Sequence, residues 1–170
     1  MLVIIIGVSC TGKTSINKMF KEMGYHTIEA SSYYKSIKAQ HTSKQTTYSL
    51  TLGALTALDI IEKNYQFLEH SILTGIRSVD EYHILKENIF RTVLVVIKSD
   101  YLDCYNRAKQ RNREEIGSFE SFLTEIIYPD LEYGIKDLMN MADITILNRD
   151  ISLADFLQSC KEKLEGYVIQ

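Results

Sequence analysis

The chain opens on a run of five apolar residues, Leu2-Val3-Ile4-Ile5-Ile6, that ends at Gly7 and is followed at once by Val8-Ser9-Cys10-Thr11-Gly12-Lys13-Thr14. A continuous, mostly β-branched run suits a strand buried on both faces, as in the middle of a parallel sheet. Gly7 to Thr14 matches G-x-x-x-x-G-K-[ST] at every position. Each part has a physical task. Gly7 and Gly12 permit dihedrals and close approaches that a Cβ would block, so the loop can wrap its N–H groups around phosphate oxygens. Lys13 to Met23 reads as a helix with Ile16, Met19, Phe20 and Met23 on one face, stopped by Gly24. Its N-terminus adds unpaired donors and the positive end of the helix dipole. Lys13 is expected to reach the β- and γ-phosphates of a nucleoside triphosphate, and the Thr14 hydroxyl to bind Mg²⁺. The expected nucleotide-binding set is Gly7, Cys10, Thr11, Gly12, Lys13, Thr14 and Ser15. For Cys10 two readings stand: a thiol acidified by the helix terminus, or a small side chain filling a variable loop position.

The remaining pattern alternates short strands with helices. Strands are expected at Tyr25 to Ile28, Ser71 to Thr74, Thr92 to Ile97 and Ile144 to Leu147. Helices are expected at Ser31 to Lys38, Tyr48 to Leu68, Val79 to Asn88, Asp100 to Arg113, Phe119 to Met141 and Leu153 to Leu164, with a loop from Gln40 to Thr47. Pro129 is expected to kink or split the helix that contains it. The sum predicts an α/β fold, a five-stranded parallel sheet with helices on both faces, because parallel strands need crossover helices. Ligands of such sheets lie outside the carboxyl ends of the strands, which is where the glycine loop falls.

Composition narrows the class. A chain of 170 residues, 45% hydrophobic and 24% charged, fits one soluble globular domain spanning 1–170. The formal charge of −3 carries no general footprint for nucleic acid or an anionic membrane. No apolar run approaches the ~20 residues of a membrane span, and no basic segment precedes Leu2 as in a signal peptide. Cys10, Cys104 and Cys160 are odd in number and widely spaced, which suggests neither a disulfide framework nor a zinc site and suits a reducing cytoplasm.

Further along come Leu73-Thr74-Gly75-Ile76-Arg77-Ser78, then Tyr105-Asn106-Arg107, Arg111-Asn112-Arg113, Ser118-Phe119-Glu120-Ser121-Phe122, Glu132, Gly134-Ile135, Ala142-Asp143, Ile146 and Asn148. Taken in order with the glycine loop, the chain resembles the dephospho-CoA kinase-like branch of the P-loop nucleotide and nucleoside kinases. It is similar in particular to short kinase-like proteins of that branch known mainly from archaea. The resemblance implies a strand order of 2-3-1-4-5, a lid near residues 105–118 and a helical acceptor-binding region near 31–70. It also implies that Arg107, Arg111 and Arg113 are lid arginines, that Asn148 lies under the adenine, and that Arg77 faces the acceptor. Arg107 and Arg111 are four apart and share a helix face, so they can clamp transferring phosphates; a solvated basic helix answered by Glu114 and Glu115 is the other reading. Asn148 has a turn as its alternative, and Arg77 an ion pair with Asp80 or Glu81.

The chain departs from that branch at two carboxylates. The aspartate usual after strand two falls on Ser31, and the Asp-Gly usual after strand three is Thr74-Gly75. Glu29, if strand two runs one residue longer, is a candidate general base; otherwise it is an exposed strand-end glutamate. Phosphoryl transfer tolerates such a loss, because its loose transition state depends mainly on positioning and charge neutralisation. The segment between strands two and three is short for dephospho-CoA, so the expected phosphate acceptor is a small nucleoside, nucleotide or related metabolite, with Ser31 and Arg77 near it. Tyr33, Tyr34 and Tyr48 can stack on a base or simply pack. The leading expectation is an ATP- and Mg²⁺-dependent kinase with Lys13, Arg107, Arg111 and Glu29 as catalytic candidates. A kinase-derived nucleotide-binding module without transfer is the alternative. A GTPase switch lacks its Asn-Lys-x-Asp and Asp-x-x-Gly signatures, and the acidic charge counts against a polynucleotide kinase.

Overall fold

The computed structural model describes residues 1–41, 49–111 and 116–168. Strand β1 (Leu2–Ile6) is buried along its whole length, as its unbroken apolar sequence requires. Strands β3 (Ser71–Thr74) and β4 (Thr92–Lys98) flank it, with β2 (His26–Glu29) outside β3 and β5 (Ile144–Leu147) outside β4. The order is therefore β2-β3-β1-β4-β5, and every pairing is parallel. Ile5 and Glu29 both lie opposite Thr74. The carboxyl ends of β1, β2 and β3 thus line up along the edge where the glycine loop leaves the sheet.

Alternation along the strands divides the core into two layers. Leu2, Ile4, Ile6, Leu73, Leu94 and Val96 face helices α3 (Ser49–Asn64), α4 (Val79–Asn88) and α8 (Lys136–Met141), where Ala57, Ile60, Tyr82, Leu85 and Leu138 meet them. Val3, Ile5, Ile72, Val95 and Ile97 face Ile16 and Phe20 of α1 (Lys13–Glu22) and Phe156, Cys160 and Leu164 of α9 (Leu153–Val168). A third cluster joins Val8 and Cys10 of the loop to Cys104 and Ala108 of α5 (Tyr101–Gln110), and to Phe122, Ile127 and Ile135. Helix α2 (Ala30–His41) follows β2 directly. No helix among the described residues is long and apolar enough to cross a membrane.

Several boundaries differ from the sequence expectation. Strand β2 runs to Glu29, one residue beyond Ile28, because Glu29 still pairs with Thr74. Helix α3 ends at Asn64, before a short 3-10 turn at Leu68–His70; its expected start at Tyr48 and the loop from Gln40 to Thr47 reach outside the described residues. Helix α5 ends at Gln110 rather than Arg113, and α9 continues to Val168.

The stretch from Phe119 to Met141 is built from α6 (Phe119–Phe122), a π turn (Leu123–Ile127), α7 (Tyr128–Asp130), a second π turn (Leu131–Ile135) and α8. Pro129 does not break it. The Pro129 ring follows a wide i→i+5 turn, which accommodates the missing N–H. The kink lies at Gly134, whose φ of 110° and ψ of 1° are non-helical. A Cβ there would also stand 3.3 Å from the Arg77 carbonyl oxygen and 3.4 Å from Ser78 Cα. Gly134→Ala is therefore expected to cost about 2 kcal/mol of stability through backbone strain, and Pro129→Ala less than about 1 kcal/mol. Urea denaturation of the two variants checks the difference.

Candidate active site

The loop between β1 and α1 is shaped by residues that leave no alternative to its backbone. Gly7 and Gly12 have φ values of 149° and 109°. A Cβ on Gly7 would lie 2.6 Å from the Ile97 carbonyl oxygen, and one on Gly12 would lie 2.8 Å from Phe156 Cε1 and 2.9 Å from Asn148 Nδ2. Both glycines are thus fixed by neighbours on other elements as well as by conformation. Cys10 takes a positive φ of 66° without being glycine, and its buried side chain joins the apolar cluster under the loop. That placement matches the space-filling reading. Thr11 is buried and its hydroxyl donates to the Val8 carbonyl at 3.0 Å. Thr14 is exposed at the second position of α1, and the Ser15 amide donates to the Gly12 carbonyl at 3.0 Å.

The Lys13 ammonium folds back over the loop, donating to the carbonyls of Gly7 at 2.6 Å and Val8 at 2.8 Å. Burial pulls its pKa from the ordinary lysine value down to about 8; the Asp130 charge works in the opposite direction, and the Arg77 charge lowers it further.

Asp130, on α7, is the carboxylate that sequence reasoning missed. It is only 5% exposed. Its Oδ2 accepts the backbone N–H and the hydroxyl of Ser9, each at 2.8 Å, across 121 residues of chain. Its Oδ1 lies 3.4 Å from Nη1 of Arg77. Arg77 therefore pairs with Asp130, not with Asp80 or Glu81. Glu81 instead accepts the backbone N–H groups of Arg77 at 2.7 Å and Ser78 at 2.8 Å, closing a capping box on α4, and its burial pushes its pKa up. No motif announces Asp130: the residues singled out around it, Pro129, Glu132 and Gly134, do not include it.

Arg77 lines a cavity of about 340 Å³ together with Ser31, Tyr34, Lys35, Lys38 and Tyr133. Ser31 and Arg77, the two residues expected on the acceptor side, line the same cavity, and the Ser31 hydroxyl donates to Oε1 of Glu29, the candidate base, at 2.9 Å. Glu29 is exposed at the carboxyl end of β2. A second cavity, of about 360 Å³, lies beside the loop and is lined by Thr11, Ser99, Asp100, Tyr101, Leu147 and Arg149.

Asn148 and Arg107 meet below the loop. Asn148 is buried, and its Nδ2 donates to the Thr11 carbonyl at 2.9 Å. Arg107 donates to Ser99 Oγ at 2.7 Å and to the Asn148 carbonyl and side-chain oxygens at 3.1 and 3.2 Å. Asn148 thus braces the glycine loop, and Arg107 braces Asn148. Arg111 is exposed at the end of α5, while Arg113, Glu114, Glu115 and Tyr48 lie outside the described residues.

A polyphosphate fits this loop, because its glycines leave the backbone bare and its turn opens onto the start of α1. Magnesium needs oxygen donors. Thr14 offers a hydroxyl, and one turn further along α1 the buried Asn17 Oδ1 has no hydrogen-bond partner while Asn17 Nδ2 donates to Thr74 Oγ1 at 2.7 Å. No cluster of three His, Cys, Asp or Glu residues capable of holding a metal occurs among the described residues.

Comparison with other proteins agrees with this architecture. No protein-family profile matches the chain. A UPF0200 protein of Pyrobaculum aerophilum is 24% identical over 161 residues, covering 91% of each chain. A UPF0200 protein of Methanopyrus kandleri is 22% identical over 171 residues, covering 95% of this chain and 87% of the other. Among solved structures, shikimate kinase from Bacteroides thetaiotaomicron superposes with a TM-score of 0.68 at 14% identity, over 97% of this chain and 98% of that one. A sugar kinase from Janibacter sp. gives 0.61 at 15% identity, over 96% and 93%. The chain has the P-loop kinase fold.

The lowered Lys13 pKa has a measurable consequence. Between pH 8 and the ordinary lysine value of 10.5, the unfolded chain keeps a proton that the folded chain has shed. Unfolding free energy therefore rises with pH across that window. Wild-type protein should gain stability relative to Lys13→Met from pH 8 upward, read as the difference between denaturation curves at pH 7, 8 and 9.5, and the Lys13 side-chain NMR signal should titrate near 8.

Proposed function

We propose that the chain is an ATP- and Mg²⁺-dependent phosphotransferase acting on a small molecule, with one domain carrying both half-sites. The observation that carries the reading is the juxtaposition of two features: a glycine loop held bare by Ile97, Phe156 and Asn148, and a cavity at the same sheet edge lined by Arg77, Lys35 and Lys38. The loop amides and Lys13 hold the nucleotide phosphates, which requires Lys13 to leave the Gly7 and Val8 carbonyls it now binds. Thr14 would hold magnesium, whose charge would neutralise the phosphate oxygens. The cations around the Arg77 cavity favour an anionic acceptor, such as a nucleotide or another phosphorylated or carboxylated metabolite, and Tyr34 and Tyr133 give it flat apolar walls. In transfer the acceptor oxygen bonds to the γ-phosphorus as the bond to the ADP oxygen breaks. Glu29, held beside the cavity through Ser31, takes the acceptor proton.

Arg107 acts in this scheme by fixing Asn148 and hence the loop, with Arg111 and Arg113 as the closing lid arginines. The cavity beside Tyr101, Ser99 and Arg149 receives the base. The motif series along the sequence is what supports kinship with the dephospho-CoA kinase-like branch.

A non-catalytic nucleotide-binding module is the second reading. It is favoured by Thr74, whose hydroxyl is engaged by Asn17 where the branch carries an aspartate. An ADP-release assay with nucleosides, nucleoside monophosphates and small phosphorylated or carboxylated metabolites separates the two. Turnover with at least one acceptor, reduced about 10²- to 10³-fold in Lys13→Ala, is the expected outcome. Tight ATP binding with no turnover for any acceptor selects the module.

A further inference from the structure

Glu81 and Asp130 are the acidic residues buried among the described residues. Glu81 closes the first turn of α4 and needs no further explanation. Asp130 is different. It belongs to a three-residue helical segment, and its bonds reach away from that segment to the glycine loop on one side and to Arg77 on the other.

These two partners belong to different half-sites. Ser9 belongs to the glycine loop proposed for the nucleotide, whereas Arg77 lines the cavity proposed for the acceptor. On the phosphotransferase reading, the terminal phosphoryl group of a bound triphosphate is transferred from the loop side towards that cavity, and Asp130 bridges the two. A buried carboxylate at that point does two things. It occupies a loop amide and a guanidinium that would otherwise bind phosphate, and its negative charge opposes the phosphoryl group. Donors withheld in the ground state and engaged as the phosphoryl group moves lower the barrier, whereas donors engaged throughout only tighten binding.

We propose that Asp130 is a positioning residue of the transfer site, holding Ser9 and Arg77 away from the terminal phosphoryl group of the bound nucleotide so that they engage it during transfer. This rests on the phosphotransferase reading. Asp130 acts through its two partners: it sets how strongly the site distinguishes a triphosphate from a diphosphate before any acceptor arrives.

Calorimetric titration of the full chain with the magnesium complexes of a non-hydrolysable ATP analogue and of ADP tests it. Asp130→Asn should bind the analogue about tenfold tighter or more, with ADP changed by less than about threefold. Asp130→Glu, which keeps the charge, should leave the ratio of the two affinities near wild type. Arg77→Gln added to Asp130→Asn should remove most of the gain, because the released guanidinium supplies it. An unchanged ratio in Asp130→Asn, or a parallel weakening of both nucleotides in folded protein, overturns the proposal and shows Asp130 to be structural. If Asp130→Asn does not fold, Arg77→Gln alone decides: it leaves the carboxylate unbalanced and should weaken the analogue more than ADP, and an equal effect on both overturns the proposal. Wild-type protein that binds neither nucleotide defeats the phosphotransferase reading, and this role with it; binding of both with insensitive ratios defeats the role of Asp130 alone.

Discussion

The close approach of foreign atoms to Gly7 and Gly12 is the constraint on which the rest of the site depends. A carbonyl from β4 closes on the first, and the Phe156 ring of α9 with the Asn148 amide closes on the second. The loop is therefore a wedge held between β4, α9 and the end of β5, and its backbone faces the one direction left open. Asn148 completes the wedge by bonding to Thr11, and Arg107 ties Asn148 to Ser99. A loop that is pre-shaped in this way need not be ordered by a ligand, so less conformational entropy would oppose binding.

Charge is arranged around that wedge with equal economy. Lys13, Asp130 and Arg77 form an alternating series beside the loop, and each influences the next. Burial works against the Lys13 proton, and Asp130 works for it. The net effect is a cation less firmly protonated than an exposed lysine, held on the Gly7 and Val8 carbonyls. A polyphosphate would bring the negative charge that favours its proton again. The irregular stretch of α6 to α8 is what delivers Asp130 to this place. Its wide turns and the bend at Gly134 let α7 approach the loop while α8 returns to the sheet, where Leu138 joins the core.

Much of the fold was legible from local pattern. Leu2–Ile6 and Thr92–Ile97 read as strands because they are mostly apolar and β-branched, and α1 was visible in the spacing of Ile16, Met19 and Phe20. What misled was local chemistry read without its surroundings. Pro129 signals a break in an isolated helix, but a wide turn in the preceding residues accommodates it, while Gly134, which carries no such signal, bends the chain. Arg77 had acidic neighbours in sequence at Asp80 and Glu81, yet its ion pair is with a residue more than fifty positions away. Asn148 was expected beside the nucleotide from the motif series, and the structure adds a bond from its side chain to the Thr11 carbonyl of the loop.

Sequence alone determined the strand–loop–helix unit and the alternation that makes a parallel sheet, because both arise from spacing within a few residues: apolar period, glycine position and helix polarity. The partnership of Ser9, Asp130 and Arg77, and the bracing of Thr11 by Asn148 and Arg107, were decided only by tertiary structure. Those contacts join residues from separate crossovers, and their identity depends on how β1, β3, β4 and α7 are set beside one another. A carboxylate in the middle of a helical segment has no local feature to distinguish it from a solvated one; burial against the loop does that.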